Sequence, residues 1–90
     1  MKKAIITVLG KDRVGIIHGV AHVLAEKNVN ILDISQTILS DVFTMMMLVD
    51  VENSTVDFTV LSAQLDEVGK ELGLEIRIQL EEIFQAMHRI

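Results

Sequence analysis

The sequence contains no cysteine, no proline, no tryptophan and no tyrosine. Without cysteine there is no disulfide frame, no thiolate nucleophile and no sulfur-based metal site. Without proline, no helix entry or turn is stiffened by a ring, so chain reversals fall to glycine, asparagine, aspartate and serine. The only aromatic residues are three phenylalanines, too few for the stacking platforms with which sheet proteins read single-stranded RNA. Positive charge is also scarce: 8 Lys and Arg stand against 13 Asp and Glu, a net charge of -5. That balance opposes binding to a phosphate backbone or to an anionic membrane surface. No stretch approaches the roughly 20 apolar residues of a spanning helix. The run "AIITVLG" behind Lys2 and Lys3 lacks the small-residue cleavage site of a signal peptide. The expectation is a cytoplasmic protein that starts directly with a strand.

What remains is aliphatic. Half of the 90 residues are hydrophobic, enough for one domain with a core of Ile, Leu, Val and Met. "KAIITVL", Lys3 to Leu9, is rich in β-branched residues and reads as a strand. From Ile16 the period changes: Ile16, Ile17, Val20, Val23 and Leu24 gather on one side of a helical wheel, opposite His18, His22 and Glu26. This helix is expected to end near Lys27 and Asn28, because asparagine tolerates the left-handed backbone of a helix exit. "VNILDISQTIL", Val29 to Leu39, alternates with Leu32, Ile34 and Ile38 on one face and Asp33, Ser35 and Thr37 on the other. Ser40 and Asp41 suit a reversal. "VFTMMMLVDV", Val42 to Val51, is apolar on both faces, which fits a strand in the middle of a sheet.

Ser54 with Asp57 three residues on resembles a capping box. Phe58, Leu61, Leu65, Val68 and Leu72 then repeat at helical spacing, and Gly73 falls where a helix would end. "LEIRIQL", Leu74 to Leu80, alternates with Glu75, Arg77 and Gln79 on a wet face, and a tail helix is expected over about 82–90. The order β-α-β-β-α-β defines an α+β, ferredoxin-like sandwich: a four-stranded antiparallel sheet with two helices on one face, plus a short C-terminal helix. The first and third strands are expected at its centre. Its other face would be uncovered yet apolar, which predicts an association surface and a homodimer. Ile83, Phe84 and Met87 of the tail would cover that sheet or dock the partner.

The chemistry concentrates in "GKDRVGI", Gly10 to Ile16, where a strand hands over to a helix. A first helical turn carries free N–H groups and partial positive charge, so a carboxylate can sit there. Gly15 lets a ligand approach the backbone, or merely lets the helix pack on the sheet. Asp12 could accept from an ammonium group or cap the helix. Lys11 and Arg13 read as solvated loop charges that can also reach a carboxylate. Asn30 offers both a donor and an acceptor to a polar ligand.

"GKDRVGI" before the first helix and "NVNILDISQT" after it resemble the ACT domain, a module that senses amino acids in regulated biosynthetic enzymes. The resemblance spans residues 1–90 as a single domain. "DVFTMMMLVD" and "EEIFQAMHRI" are similar to small stand-alone bacterial and archaeal ACT proteins. The resemblance implies ligand binding at a subunit interface by Asp12, Arg13, Val14, Gly15 and Ile16 of the loop, with Asn30 and Ile31 of the second strand, often from a neighbouring subunit. Val14 stands where many relatives carry proline, which leaves this loop softer. No cofactor, metal or catalytic residue is implied.

Three function classes follow. The first is a non-catalytic sensor of an amino acid or similar metabolite, a dimer or larger oligomer acting on a separate effector protein. The second is a protein-interaction module working through the apolar sheet face. The third is an acylphosphatase-like enzyme, for which Arg13 and Asn30 are a thin match with no nucleophile–base pair. His18 and His22 have metal-chelating spacing but no further ligand, and read as a solvated pair. Met45, Met46 and Met47 cannot share one strand face and read as core and interface packing. His88 reads as a surface residue.

Overall fold

The computed structural model describes residues 1–11 and 14–83. Six elements follow one another: β1 (Lys3–Lys11), α1 (Ile16–Glu26), β2 (Asn30–Leu39), β3 (Val42–Asp50), α2 (Phe58–Leu72) and β4 (Leu74–Leu80). All three strand pairings are antiparallel and the order across the sheet is β2-β3-β1-β4. The expected βαββαβ sandwich is therefore formed, with β1 and β3 central. Both helices lie on one face, giving a slab of 36 × 35 × 19 Å.

The centre of the slab is the β1–β3 ladder. Alternation sends Ala4, Ile6 and Val8 of β1 and Met45, Met47 and Val49 of β3 toward the helices, and all six are fully buried. Ile76 and Ile78 of β4 extend this floor, and Ile16, Val20, Leu24, Leu61 and Leu65 close it from above. Ile17 departs from the expected stripe and stays 41 % exposed. On the helical wheel it lies only about 20° from the buried Leu24, so its exposure goes with its place in the first turn and not with the side of the helix it occupies.

Turn chemistry fixes the ends. Asn28 is left-handed at the exit of α1 (φ 59°), and its side-chain amide donates to the Asn53 carbonyl at 3.0 Å. Ser40 and Asp41 make a two-residue hairpin turn between paired Leu39 and Val42, with Ser40 left-handed. Asp57, not Ser54, caps α2: its carboxylate accepts from Val60 N–H at 2.9 Å. The Ser54 hydroxyl instead donates to the Val56 carbonyl at 2.7 Å, shaping the turn just before the cap. Gly73 ends α2 at φ 72°, as its position predicts. Of the expected tail helix, residues 81–83 are helical; Phe84, Met87 and His88 lie outside the described residues.

The face away from the helices shows how β1 and β3 are used twice. Reading across β2-β3-β1-β4, the register gives the rows Thr37–Thr44–Leu9–Glu75, Ser35–Met46–Thr7–Arg77 and Asp33–Leu48–Ile5–Gln79. The centre is apolar and both margins are polar.

Gly69 is where α2 meets β4. A Cβ there would stand 2.7 Å from the Leu74 carbonyl oxygen, a backbone atom that cannot swing away. Gly69→Ala is therefore expected to destabilise the fold by about 1–3 kcal/mol, whereas Asp57→Ala should cost about 1 kcal/mol through the lost cap; urea unfolding midpoints measure both.

Candidate functional site

Two groups of residues carry the candidate chemistry: the β1–α1 loop and the start of β2. β1 runs on to Lys11, two residues past the expected end, because Gly10 and Lys11 still pair with Phe43 and Val42. Asp12 and Arg13 lie outside the described residues. Val14 is 97 % exposed, so the residue that stands in place of proline presents its whole side chain to the surroundings.

Gly15 is the N-cap of α1, with φ 92° and ψ 0°, in the left-handed region. No heavy atom lies within 4 Å of where its Cβ would be. The glycine is thus needed for its backbone angle and not for close packing of helix on sheet. The cap residue therefore has no side chain with which to bind the first turn. The Gly15 carbonyl accepts from Gly19 N–H at 2.9 Å, starting the helical ladder. The N–H groups of Ile16, Ile17 and His18 find no partner among the described residues, and the first turn holds no acidic side chain. α2 is the contrast: one of its first donors, Val60 N–H, is served by the Asp57 carboxylate. A helix start behind a glycine cap turns its first donors and the positive end of the helix dipole toward the loop. Ile16 itself is buried and anchors that turn to the core.

Asn30 and Ile31 open β2. Asn30 pairs with Asp50, which pairs with Lys3 at the beginning of β1. The loop leaves from the other end of β1. Eight residues of strand, about 26 Å, separate those two levels, and α1 spans about 16 Å between the same ends of the slab. One chain therefore does not bring the loop and Asn30 together. Asn30 is exposed, and Ile31 is partly buried against the core.

His18 and His22 stack on the exposed side of α1 with ring centroids 6.2 Å apart, and His22 Nε2 meets Glu26 Oε1 at 3.2 Å. Among the described residues no group of three or more His, Asp or Glu is placed to hold a metal ion. No helix of the described residues is long and apolar enough to cross a membrane.

A left-handed glycine cap at the entry of the first helix, set on a four-stranded antiparallel sandwich, defines a ferredoxin-like module. The family model described as ACT domain matches residues 2–79, and the chain belongs to the ACT-domain family. It is similar to a UPF0237 protein of Methanocaldococcus jannaschii, 51 % identical over the whole of both chains. It is also similar to the solved ACT domain protein from Streptococcus pneumoniae. That likeness has 47 % identity, a TM-score of 0.81 and coverage of 92 % of this chain and 93 % of that one. A more distant solved structure, the regulatory subunit of aspartate kinase from Thermus thermophilus, shares the fold. It is 24 % identical with a TM-score of 0.66, over 87 % of this chain and 50 % of that one.

Because Gly15 is held at positive φ, Gly15→Ala should destabilise the protein by about 1–2 kcal/mol, while Val14→Ala should stay within about 0.5 kcal/mol. Chemical denaturation of the two variants tests whether angle, and not bulk, is what the loop requires.

Proposed function

We propose that the protein is a non-catalytic regulatory module that binds an amino acid or a similar small metabolite between two subunits. The observation that carries this reading is the entry of α1 behind Gly15, a left-handed cap residue with no side chain to bind the first turn. Free N–H groups at a helix start suit a carboxylate, and the absence of a covering side chain on Gly15 leaves their approach open. Asn30 of a second subunit supplies the complementary donor and acceptor for the rest of the ligand. The separation of Asn30 from the loop within one chain supports a shared site rather than a site inside a protomer. Asp12, Arg13, Val14, Gly15, Ile16 and Ile31 complete the set of contacts in this reading.

Regulation follows from that geometry. A ligand that touches two chains binds only one arrangement of them, and it shifts the population by its difference in affinity between arrangements. The output then passes to a separate effector protein. In a second reading the chain acts through the open sheet face, whose apolar centre is formed by Ile5, Leu9, Met46 and Leu48 inside a polar margin. Exposed apolar surface of that kind serves protein partners. A homodimer in the cytoplasm is the state assigned to both.

Calorimetry and thermal shift against the twenty standard amino acids test the first reading. At least one is expected to bind, and Asn30→Ala should weaken it about tenfold or more, the cost of a lost hydrogen bond to a charged group. If no amino acid produces heat or a shift, the amino-acid sensor is abandoned. The second reading expects Met46→Asp to abolish capture of a defined effector while leaving ligand binding unchanged; unaltered capture removes it.

A further inference from the structure

The open face of the sheet has an apolar centre over which no described helix lies. Leu9 and Met46 are 46 % and 38 % exposed there, beside the half-buried Ile5 and Leu48. A stripe that matches this centre stands close to it in the chain. Ile83, Phe84, Met87 and Ile90 recur at steps i, i+1, i+4 and i+7, within about 120° of a helical wheel. Glu81, Glu82, Gln85, His88 and Arg89 take the rest of the wheel. Residues 81–83 are helical and Ile83, the first of the stripe, is 50 % exposed; residues 84–90 lie outside the described residues.

The place where β4 ends decides what the stripe can reach. β4 stops at Leu80, level with Ala4 at the beginning of the central β1. Glu81 and Glu82 line one cleft with Met1, Lys2 and Lys3. By alternation Lys3 is on the same side of β1 as Ile5, the open face. The turn after β4 therefore bends in over β1, with two acids set against two lysines, and not outward from the sheet edge. A helix of ten residues is about 15 Å long, and the three strand spacings from β4 to β2 come to about 14 Å. Residues 81–90 thus span the sheet once. A helix about 10 Å wide covers two rows of side chains, which lie about 7 Å apart. These are the row of Leu48 and Ile5, nearest the exit, and the row of Met46 and Thr7 beyond it. The other exposed aliphatic group, Ile17, Ile34 and Ile38, lies at the far edge on the helix side, out of reach of this segment.

We propose that residues 83–90 form an amphipathic helix that docks on the open sheet face of their own chain, setting Ile83, Phe84, Met87 and Ile90 against Ile5, Leu48 and Met46. The occupant is the chain's own tail because its stripe starts only three residues after β4. That tether gives it an effective concentration no separate molecule matches. The docked tail closes the surface used in the second reading of function, and a partner acting there has to displace it. The ligand site is independent of the tail. Calorimetry that finds no amino acid leaves the tail docked, and an undocked tail leaves the sensor standing.

Two measurements on the full chain test this. With only three phenylalanines and no other aromatic type but histidine, the Phe84 ring is readily assigned by NMR. Nuclear Overhauser contacts are expected from it to the methyl groups of Leu48, Ile5 or Met46. A mixture of labelled and unlabelled chains separates contacts within a chain from contacts between chains. Contacts found only between chains overturn the proposal, as does their complete lack. The second measurement uses the absence of cysteine. Leu48→Cys supplies a single thiol, and adding Phe84→Asp with Met87→Asp should speed its alkylation about tenfold or more at every protein concentration. Val60→Cys, on the exposed side of α2, should react at one rate with or without the tail changes. An unaltered rate at Leu48→Cys overturns the proposal, and so does protection that grows with protein concentration, which assigns the face to a second copy.

Discussion

The antiparallel pairing of β1 with β3 is the constraint from which the rest of the molecule follows. Nine residues of each strand pair, and the six side chains they send toward the helices are withdrawn completely from solvent. With β1 and β3 in the middle, the chain must place β2 and β4 outside them, and the two crossovers must carry both helices over the same face. The helices then bury one face, and no helix among the described residues covers the other. The loop that enters α1 is set by the same pairing. It leaves β1 at Lys11, level with the β2–β3 turn, while β2 begins at the far end of the slab.

That layout explains why two short motifs, adjacent to the same helix in sequence, belong to different places in space. A helix of 11 residues holds them apart as a strut. Any reading that joins the loop to Asn30 has to bring in a second chain. The asymmetry of the sheet margins fits the same picture, with charge on the β4 side and bare aliphatic residues on the β2 side. Membership of the ACT-domain family agrees with the regulatory reading and leaves the ligand to be identified by experiment.

Much of the fold was legible because local and long-range signals agree. β4 alternates strictly and appears where expected, and Gly73 ends α2 as a left-handed residue. Met45 and Met47 separate from Met46 because a strand allows no other arrangement. Other features were hidden. The Ser54–Asp57 spacing suggested a cap at Ser54, but Asp57 lies nearer the first apolar residue and takes the role. Ile17 fits a helical wheel yet stays exposed, because a wheel does not reveal that the first turn lies at the end of the packed stretch. The bulge between Ile31 and Asp33 leaves no mark in an alternating pattern. Of the candidate site, glycine before a helix was readable from the sequence. What could not be read was that Gly15 itself is the cap, since aspartate is a common capping residue and Asp12 stood three residues ahead.

The unequal margins of the sheet bear on how far assembly can proceed. A strand ladder lengthens without limit when each unit has two competent ends, which is the geometry of fibrils. Here one end carries Glu75 and Arg77, and the other carries the single charge of Asp33. A unit with one guarded margin can extend a ladder from one side at most, which denies a polymer the second terminus it would need to grow.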